Sequence, residues 1–546
     1  MLDVLYTGGL FHTMDPSRPV ATSMAVHAGR IVAMDAELSS AVFREVVDLK
    51  GAAVVPGFHD AHLHLSMLGE ALGHVDVRPS AVRTLEELLA AVASAARAAA
   101  PGAWIVGEGY DQNYLGDRHP TAEELDAVSY GHPVYLVHAS HHMGVANTAA
   151  FELAGYPERR GLVAPEGGAV PTDGDGRAVG LLVETAKDLV LSALPAKSVE
   201  DIAGFVRAGS EALLPLGITS ATEPGIGAPD HIGHSLQDLA GFQLAQESGR
   251  LKVRTTVMPY LTALHELGAE RHAGHALFGL DLGLRSGFGN DTLRIGPTKV
   301  LSDGSLIGRS AFMCCDYAAE PGERGLLQFS EGLLRERLIG AHLAGWQLAI
   351  HAIGDAALDL MLDVIEEAQA LLPRPDARHR IEHASVASDA QIERMARLGV
   401  VPVPQGRFVY ELGEGVHRAL GTERSALAYR VRSFLDAGID IPASTDAPVV
   451  QADPIANIDA LVNRLTHTGE VFGEAERITA EQAVRAYTVG SARAVHQEGF
   501  KGSLSRGKLA DFVTLSEDLL AVPAHAIKDV AVTATVLGGE LAAGAL

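Results

Sequence analysis

The sequence predicts an α/β protein whose core is a (β/α)8 barrel of the TIM type, and three observations support this fold class. First, short apolar runs typical of strands alternate with helical stretches through the middle of the chain, as in proteins with a parallel sheet. Second, there are eight such runs, the number that closes a TIM barrel. Third, polar residues follow the runs at their carboxyl ends, where barrel enzymes carry their chemistry. The eight runs lead to His64, Glu223, Tyr260, Lys299, His351, His383, Gln405 and Asp446.

Two further units accompany the predicted barrel, which we place at residues 53–499. Residues 1–52 and 500–546 both consist of short strand-like runs and turns, and short β segments need partners to be stable. We therefore expect the two chain ends to pair into one composite β-sandwich. The interval from about 66 to 200 is too long for a barrel crossover, so we expect an inserted subdomain there that shapes substrate access.

The bulk composition restricts the function classes. The chain has 546 residues, of which 47% are hydrophobic and 20% are charged, as in ordinary globular proteins. A net charge of −25 opposes binding to nucleic acid or to an anionic membrane. The two cysteines are adjacent, which disfavours a mutual disulfide, and the N-terminal residues show no signal-peptide pattern. We therefore expect a cytoplasmic protein.

The first barrel run ends in a pair of histidines. The apolar residues 52–61 predict a buried strand that leads into His62 and His64. On a strand, residues two apart project from the same face, so both imidazoles would point the same way and could bind one metal ion. An isolated pair with this spacing is weak evidence, because a pair of buried, hydrogen-bonded histidines is the ordinary alternative. Its weight comes from the runs that follow.

Four later runs deliver further candidate ligands in the same manner. His351, His383 and Asp446 each end a strand-like run, and Lys299 follows the run that begins at Leu293. Imidazole and carboxylate groups suit zinc and similar divalent ions. Because the carboxyl ends of barrel strands meet at one face, we expect these side chains to converge on the first histidine pair.

A set of motifs follows these candidates in a fixed order along the chain. The segments are residues 56–64, Lys299 with residues 302–305, residues 351–355, residues 380–384, residues 444–448, and the tail segments 501–504 and 507–511. Together they resemble the amidohydrolase superfamily, and within it the YtcJ-like branch that includes N-substituted formamide deformylases. The resemblance extends over essentially the whole chain and implies a metallo-dependent hydrolase built on the predicted barrel.

The resemblance also implies how a metal would be held. His62 and His64 would bind one divalent ion together with Asp446, and His351 and His383 would bind a second. Zinc is the expected metal, although manganese, iron and cobalt accept the same ligands. The number of ions per chain is one or two.

Whether Lys299 is chemically modified determines whether the site holds one ion or two. Two cations a few ångströms apart need an anionic bridge, and the resemblance assigns this role to Lys299 as a carbamate formed with carbon dioxide. The alternative is an unmodified Lys299 in an ion pair, for example with Asp303, in a site that holds a single ion.

Asp446 is the expected catalytic base. A water molecule bound to such metals ionises readily, since its pKa falls to about 7. Asp446 would take the proton from this water and pass it to the leaving amine, which leaves poorly unless it is protonated. The alternative is that Asp446 is a helix N-cap, because it lies in a Ser-Thr-Asp-Ala-Pro context.

Four other residues are candidates for substrate contacts. Glu223 ends the second barrel run, Asp303 and Arg309 follow Lys299 closely, and His142 lies in the insertion. Structural roles are the alternatives: Glu223 as a buried carboxylate that stabilises the fold, and Asp303 as part of an ordinary Asp-Gly-Ser turn.

The leading hypothesis is therefore a metal-dependent amidohydrolase that cleaves a linear C–N bond, such as that of an N-formyl or N-acyl amine, with a metal-bound hydroxide. The alternative enzyme is a cyclic amidase or a deaminase of a heterocycle, which the same site would support. A non-catalytic binding or scaffold protein would be expected to lack some of the ligands. The expected partners are a small-molecule substrate and water, without nucleic acid or membrane, and a homodimer is expected on general grounds.

Overall fold

The computed structural model describes residues 2–35, 42–79, 81–165, 167–229 and 231–546. Parallel strands alternate with helices through the middle of the chain, and two mixed sheets, with both parallel and antiparallel pairs, are formed by the chain ends and by the long interval after the first barrel strand. The α/β class predicted from the sequence is confirmed.

Two four-stranded parallel sheets position the site. Their strands are short and largely buried; in the longest, Ile218–Ile226, every residue is buried. Because all pairs are parallel, the carboxyl ends of the strands lie at the same edge. In order across each sheet, the first contains Leu293–Ile295, Arg254–Pro259, Ile218–Ile226 and Phe58–Asp60, and the second contains Thr298–Leu301, Leu348–Ala352, Arg380–His383 and Val401–Val403.

Isolated backbone contacts connect the edges of these two sheets. Residues 439–446 were predicted to be a strand, but they form only one isolated β-bridge, through Ser444. Pro442 lies within this run and has no N–H to donate, which interrupts a regular ladder. Parallel bridges pair Tyr260 with Lys299 and Gln405 with Ser444, and the Ala61 N–H donates to the Ala443 carbonyl oxygen (3.0 Å).

The helices cover the parallel strands and bury their apolar faces in one large core. Several begin with a capping box, as at Ser388, and the helix that Ser388 starts ends at Gly399 in the left-handed region (φ 65°). Within the described part of the chain, no helix is both long and apolar enough to cross a membrane. The α-helices are Leu65–Ala71, Leu85–Ala98, Ala122–Asp126, Thr148–Leu153, Asp188–Leu191, Val199–Leu213, Asp238–Glu247, Glu331–Leu343, Asp355–Leu371, Asp389–Leu398, Arg407–Ser425, Val431–Asp436, Pro454–Asn463, Ala480–Arg485 and Ser491–Ala494.

Strands from both chain ends join one eight-stranded sheet. The strand Phe512–Leu515 pairs antiparallel with Ala53–Pro56, which connects the two ends directly. That the sheet forms a two-layered sandwich stays a prediction. Its strands are Leu2–His12, Val20–His27, Arg30–Met34, Phe43–Asp48, Ala53–Pro56, Phe512–Leu515, Val532–Leu537 and Glu540–Gly544.

The apolar run before the histidine pair is two strands, not the single strand that we predicted. Ala53–Pro56 belongs to the sheet of the chain ends and Phe58–Asp60 to the first parallel sheet, with Gly57 at the crossing point. A Cβ on Gly57 would lie 2.3 Å from Thr219 Oγ1, so only glycine fits there. An uninterrupted apolar pattern does not reveal such a change of partner.

The interval between the first and second barrel strands contains a six-stranded sheet with apolar clusters of its own. One wall of the cavity described below comes from this sheet. Its strands, in sheet order, are Gly168–Ala169, Leu181–Glu184, Met143–Ala146, Val134–His138, Ile105–Tyr110 and Val75–Asp76. A separate hairpin, His265–His272 with His275–Gly279, completes the strands.

Candidate metal centre and active site

A cavity of about 330 Å³ lies at the carboxyl ends of the parallel strands. All of the predicted metal ligands line it, although they come from segments almost 400 residues apart in sequence. These residues are His62, His64, Lys299, His351, His383 and Asp446.

Three of these side chains form a compact group. The Nε2 atoms of His62 and His64 both lie 3.2 Å from Asp446 Oδ1, and one ligand atom from each of the three residues lies within 4.8 Å of the others. The two histidines follow the end of their strand instead of lying on it as predicted, so the turn, and not the strand pleat, brings them together. Asp446 does not cap a helix, because the next helix begins at Pro454 with its own cap, Asp453.

The other two histidines lie on adjacent strands, with ring centroids 4.5 Å apart. His351 Nε2 lies 3.1 Å from the Gly304 carbonyl oxygen, and His383 Nδ1 lies 2.8 Å from Gln405 Oε1. One nitrogen of each ring is thus oriented by a protein oxygen, and the other remains for a ligand. The buried Lys299 lies within a strand of its own, because Gly296 and Pro297 interrupt the predicted run.

Sequence reasoning missed Glu382, which orients His62. Its carboxylate accepts a hydrogen bond from His62 Nδ1 and pairs with both Nε and Nη2 of Arg380, each at 2.8 Å. All three side chains are fully or almost fully buried. The sequence did contain a signal for this role. Arg380 and Glu382 are two residues apart on a predicted buried strand, and opposite charges in a protein interior are stable only when they are paired.

Glu382→Gln is expected to weaken metal binding by roughly 10- to 100-fold, because a carboxylate behind a ligating imidazole fixes its orientation and basicity. The same change leaves the Arg380 charge without its counter-charge and should lower the free energy of unfolding by about 3–5 kcal/mol. Competition titration against a chelator measures the first effect, and denaturant unfolding of the metal-free protein measures the second.

Glu366→Gln is the matched control, because Glu366 forms partly exposed ion pairs with Arg394 and Arg397 away from the cavity. It should leave metal affinity unchanged. Equal metal affinity of the Glu382→Gln variant and the unsubstituted protein would contradict the role of Glu382.

Burial and local charges set the protonation states of the ligands. Burial lowers the pKa of His64 to about 4, that of Lys299 to about 8, and those of His351 and His383 well below the usual range. Burial opposes ionisation of Asp446, but the nearby histidines outweigh it and hold the pKa of this carboxyl well below its ordinary value. At neutral pH His64, His351 and His383 are therefore neutral imidazoles and Asp446 is a charged carboxylate, the forms that bind metals.

This donor set fits a divalent metal ion. Imidazole nitrogens and a carboxylate oxygen are the ligands of zinc and its neighbours, and one such atom from each of His62, His64 and Asp446 converges here. His62 and His383 each have their second ring nitrogen bound to a side-chain oxygen, as metal-ligating histidines almost always do.

Of the four predicted substrate contacts, His142 alone lines the cavity. It comes from the inserted sheet, its ring centroid lies 6.1 Å from that of His351, and its Nδ1 lies 2.9 Å from Glu184 Oε2. Glu184, also in the cavity wall, was not predicted.

The other three residues have structural contacts outside the cavity wall. Glu223 accepts hydrogen bonds from the Leu65 N–H and from Ser66, at the start of a helix, and burial raises its pKa to about 7. Asp303 accepts backbone N–H groups, including that of Gly354 (2.8 Å), which fixes the loop after His351. Arg309 forms an ion pair with Glu320. Their placement does not support direct contact with a substrate.

Comparisons with known proteins agree with this geometry. The model of the amidohydrolase family matches residues 45–543. Protein LONG AFTER FAR-RED 3 of Arabidopsis thaliana is 31% identical over 98% of this chain and 91% of its own length, and the N-substituted formamide deformylase of Arthrobacter pascens is 28% identical over 99% and 98%.

Putative amidohydrolase YtcJ of Bacillus subtilis is 28% identical over 91% of this chain and 90% of its own length. Among solved structures, an uncharacterized metal-dependent hydrolase from Pyrococcus horikoshii superimposes with a TM-score of 0.74 at 27% identity and covers 96% of this chain and 99% of its own. The chain therefore belongs to the amidohydrolase family, in its YtcJ-like branch, and is a metal-dependent hydrolase.

Proposed function

We propose that this protein hydrolyses a linear amide-type C–N bond, such as that of an N-formyl or N-acyl amine. The observation that carries the proposal is the position of Asp446, whose carboxylate oxygen lies 3.2 Å from Nε2 of both His62 and His64 at the cavity wall. A relative of almost the same length is an N-substituted formamide deformylase, which supports this bond type.

In this proposal His62, His64 and Asp446 hold one divalent ion, most simply zinc, and His351 and His383 hold a second. Lys299, buried in the cavity wall near both groups, would supply an anionic ligand if its amine were carboxylated to a carbamate. Such ions supply a water molecule of lowered pKa and polarise the carbonyl oxygen of the substrate.

The protein's own residues then manage the proton. Asp446 takes it from the attacking water and delivers it to the leaving nitrogen, which converts a poor leaving group into an amine. Glu382 and Gln405 keep the imidazoles of His62 and His383 in one orientation throughout. Water and a small molecule are thus the only reactants that the proposal requires.

We further infer that the two parallel sheets form one closed (β/α)8 barrel. The hydrogen bond from the Ala61 N–H to the Ala443 carbonyl oxygen, together with that from the Asp446 N–H to the His62 carbonyl oxygen (2.8 Å), connects the last barrel segment to the first. Closure places the first and last segments side by side. It therefore explains why His62 and His64, from the first segment, both lie close to one carboxylate oxygen of Asp446, from the last.

The test is release of amine and ammonia from a panel of N-formyl amines, N-acyl amines and cyclic amides, with and without a chelator. We expect an organic amine from linear amides, loss of this activity on chelation, and recovery when a divalent metal is added back. Release of ammonia from a heterocycle, with no amine from any linear amide, would contradict the proposal and favour a deaminase.

A further inference from the structure

A second and much smaller cavity, of about 10 Å³, lies where the C-terminal tail packs against the amino ends of two parallel strands. Its wall combines residues at the start of Phe58–Asp60 and of Ile218–Ile226 with residues 501–511 of the tail. The volume suits one water molecule or one ion of similar size. None of the residues in this wall lines the large cavity, so the proposed reaction gives them no role.

The side chain of Lys501 is buried in this wall without a counter-ion. Lys501 is 5% exposed, and among the residues that the structure describes no ion pair or hydrogen bond reaches its Nζ. Asp511 belongs to the same wall, but its two oxygens bind Nε and Nη2 of Arg254 at 2.6 and 2.9 Å. Burial of an ammonium group without a partner is costly, because the group loses its hydration and gains no interaction in return.

His59 adds a second unsatisfied polar atom to the same wall. Its Nε2 lies 3.0 Å from the Thr222 hydroxyl oxygen, whereas its Nδ1 is buried and has no hydrogen-bond partner in the described part of the chain. Burial, together with the nearby Lys501, lowers the pKa of His59 well below its usual range, so the ring is neutral and carries one hydrogen. Buried polar atoms are nearly always paired with protein, water or a ligand. Two unsatisfied groups in one small wall therefore indicate a binding site.

The charges around this site favour an anion over a water molecule. Arg254, Asp511, Arg294 and Asp291 are the charged groups that influence Lys501 most. Because two of them are positive and two are negative, they leave the charge of Lys501 itself uncompensated. Burial lowers the pKa of Lys501 to about 7, with Arg254 acting in the same direction, and a bound anion would favour the charged form again.

We propose that the small cavity binds one monovalent anion, with chloride as the natural occupant, between Lys501 Nζ and His59 Nδ1. The Thr222 hydroxyl donates to His59 Nε2 in this assignment, so the ring hydrogen lies on Nδ1 and is available to the anion. The volume is too small for phosphate, sulfate or a carboxylate. Because His59 belongs to the strand that leads to His62 and Lys501 belongs to the tail, the ion stabilises the contact between these two segments.

Crystals of the full-length protein grown in sodium bromide test the proposal directly. Bromide replaces chloride in halide sites and scatters anomalously, so we expect an anomalous peak in contact with both Lys501 Nζ and His59 Nδ1. A water molecule at this position, or no density at all, would overturn the proposal. This test needs no variant and therefore does not depend on whether a substitution is tolerated.

Thermal unfolding in mixtures of sodium chloride and sodium gluconate at constant ionic strength gives a second readout. Gluconate does not fit the cavity, so replacing it with chloride should raise Tm by about 1–3 °C, since a ligand that binds only the folded protein stabilises it. Lys501→Met and His59→Phe should each abolish this shift, because both substitutes fill a similar space without an N–H group.

Lys528→Met is the matched control, because Lys528 is an exposed lysine of the same C-terminal segment. This variant should keep the full chloride shift. An equal shift in Lys501→Met would assign the chloride effect to another place, such as the metal centre, and would overturn the inference. Neither readout involves amide hydrolysis, so failure of this inference and failure of the proposed function are separate results.

Discussion

Asp446→Asn is expected to lower kcat/KM for amide hydrolysis by about 10³- to 10⁴-fold, the upper part of the range for losing a positioned acid–base group. Asparagine has nearly the same shape, and its Oδ1 can still place an oxygen beside His62 and His64. It cannot take a proton from water or deliver one to the leaving nitrogen. Steady-state kinetics on the best amide from the panel, with metal content determined in parallel, measures the effect.

The matched control is Asp453→Asn, the same substitution a few residues further along the loop. Asp453 caps the helix Pro454–Asn463 by accepting the Ala456 N–H at 3.0 Å, and asparagine caps helices about equally well. Its kcat/KM should stay unchanged. Substantial activity in a metal-loaded Asp446→Asn variant would show that another group moves the proton.

In the proposed two-ion site, Lys299→Ala should lower kcat/KM by roughly 10³-fold, because loss of an ion removes several kcal/mol of transition-state stabilisation and 1.4 kcal/mol corresponds to a factor of ten. The substitution also leaves a space in the cavity wall where the side chain ended. Acetate or propionate should enter this space, supply the missing carboxylate and restore part of the activity in a concentration-dependent manner.

Lys299→Met distinguishes the loss of the anionic group from the creation of an empty space. Methionine fills the site without an anionic group, so this variant should lose activity to the same extent but show no rescue by carboxylic acids. Full activity in Lys299→Ala, with one metal ion per chain, would instead establish the unmodified lysine and the single-ion site that the sequence left as the alternative.

The convergence of the candidate ligands on one cavity could be predicted from the sequence because each of them follows a local pattern. His62, His351, His383 and Asp446 lie at or just beyond the end of a short apolar run, and the carboxyl ends of parallel strands meet at one edge whatever the details of packing. Local errors, such as the strand divided at Gly57, moved no ligand away from the cavity.

The supporting residues could not be predicted in the same way. Glu382 contacts His62, which lies 320 residues away in the sequence, and Glu184 contacts Gln328, which lies 144 residues away. Glu223 has the same local context as the ligands, yet its carboxylate turns to the start of a neighbouring helix. No period or spacing distinguishes such a carboxylate from one that faces a substrate.

The sequence by itself therefore determined the α/β class, the family, and the identity and order of the residues that converge on the cavity. Those properties depend on apolar periodicity and on motifs a few residues long. The tertiary structure alone decided which nitrogen of each histidine is free, which carboxylates face the cavity, and that His142 is paired with Glu184. These depend on contacts between distant segments, whose geometry is set by packing of the whole chain.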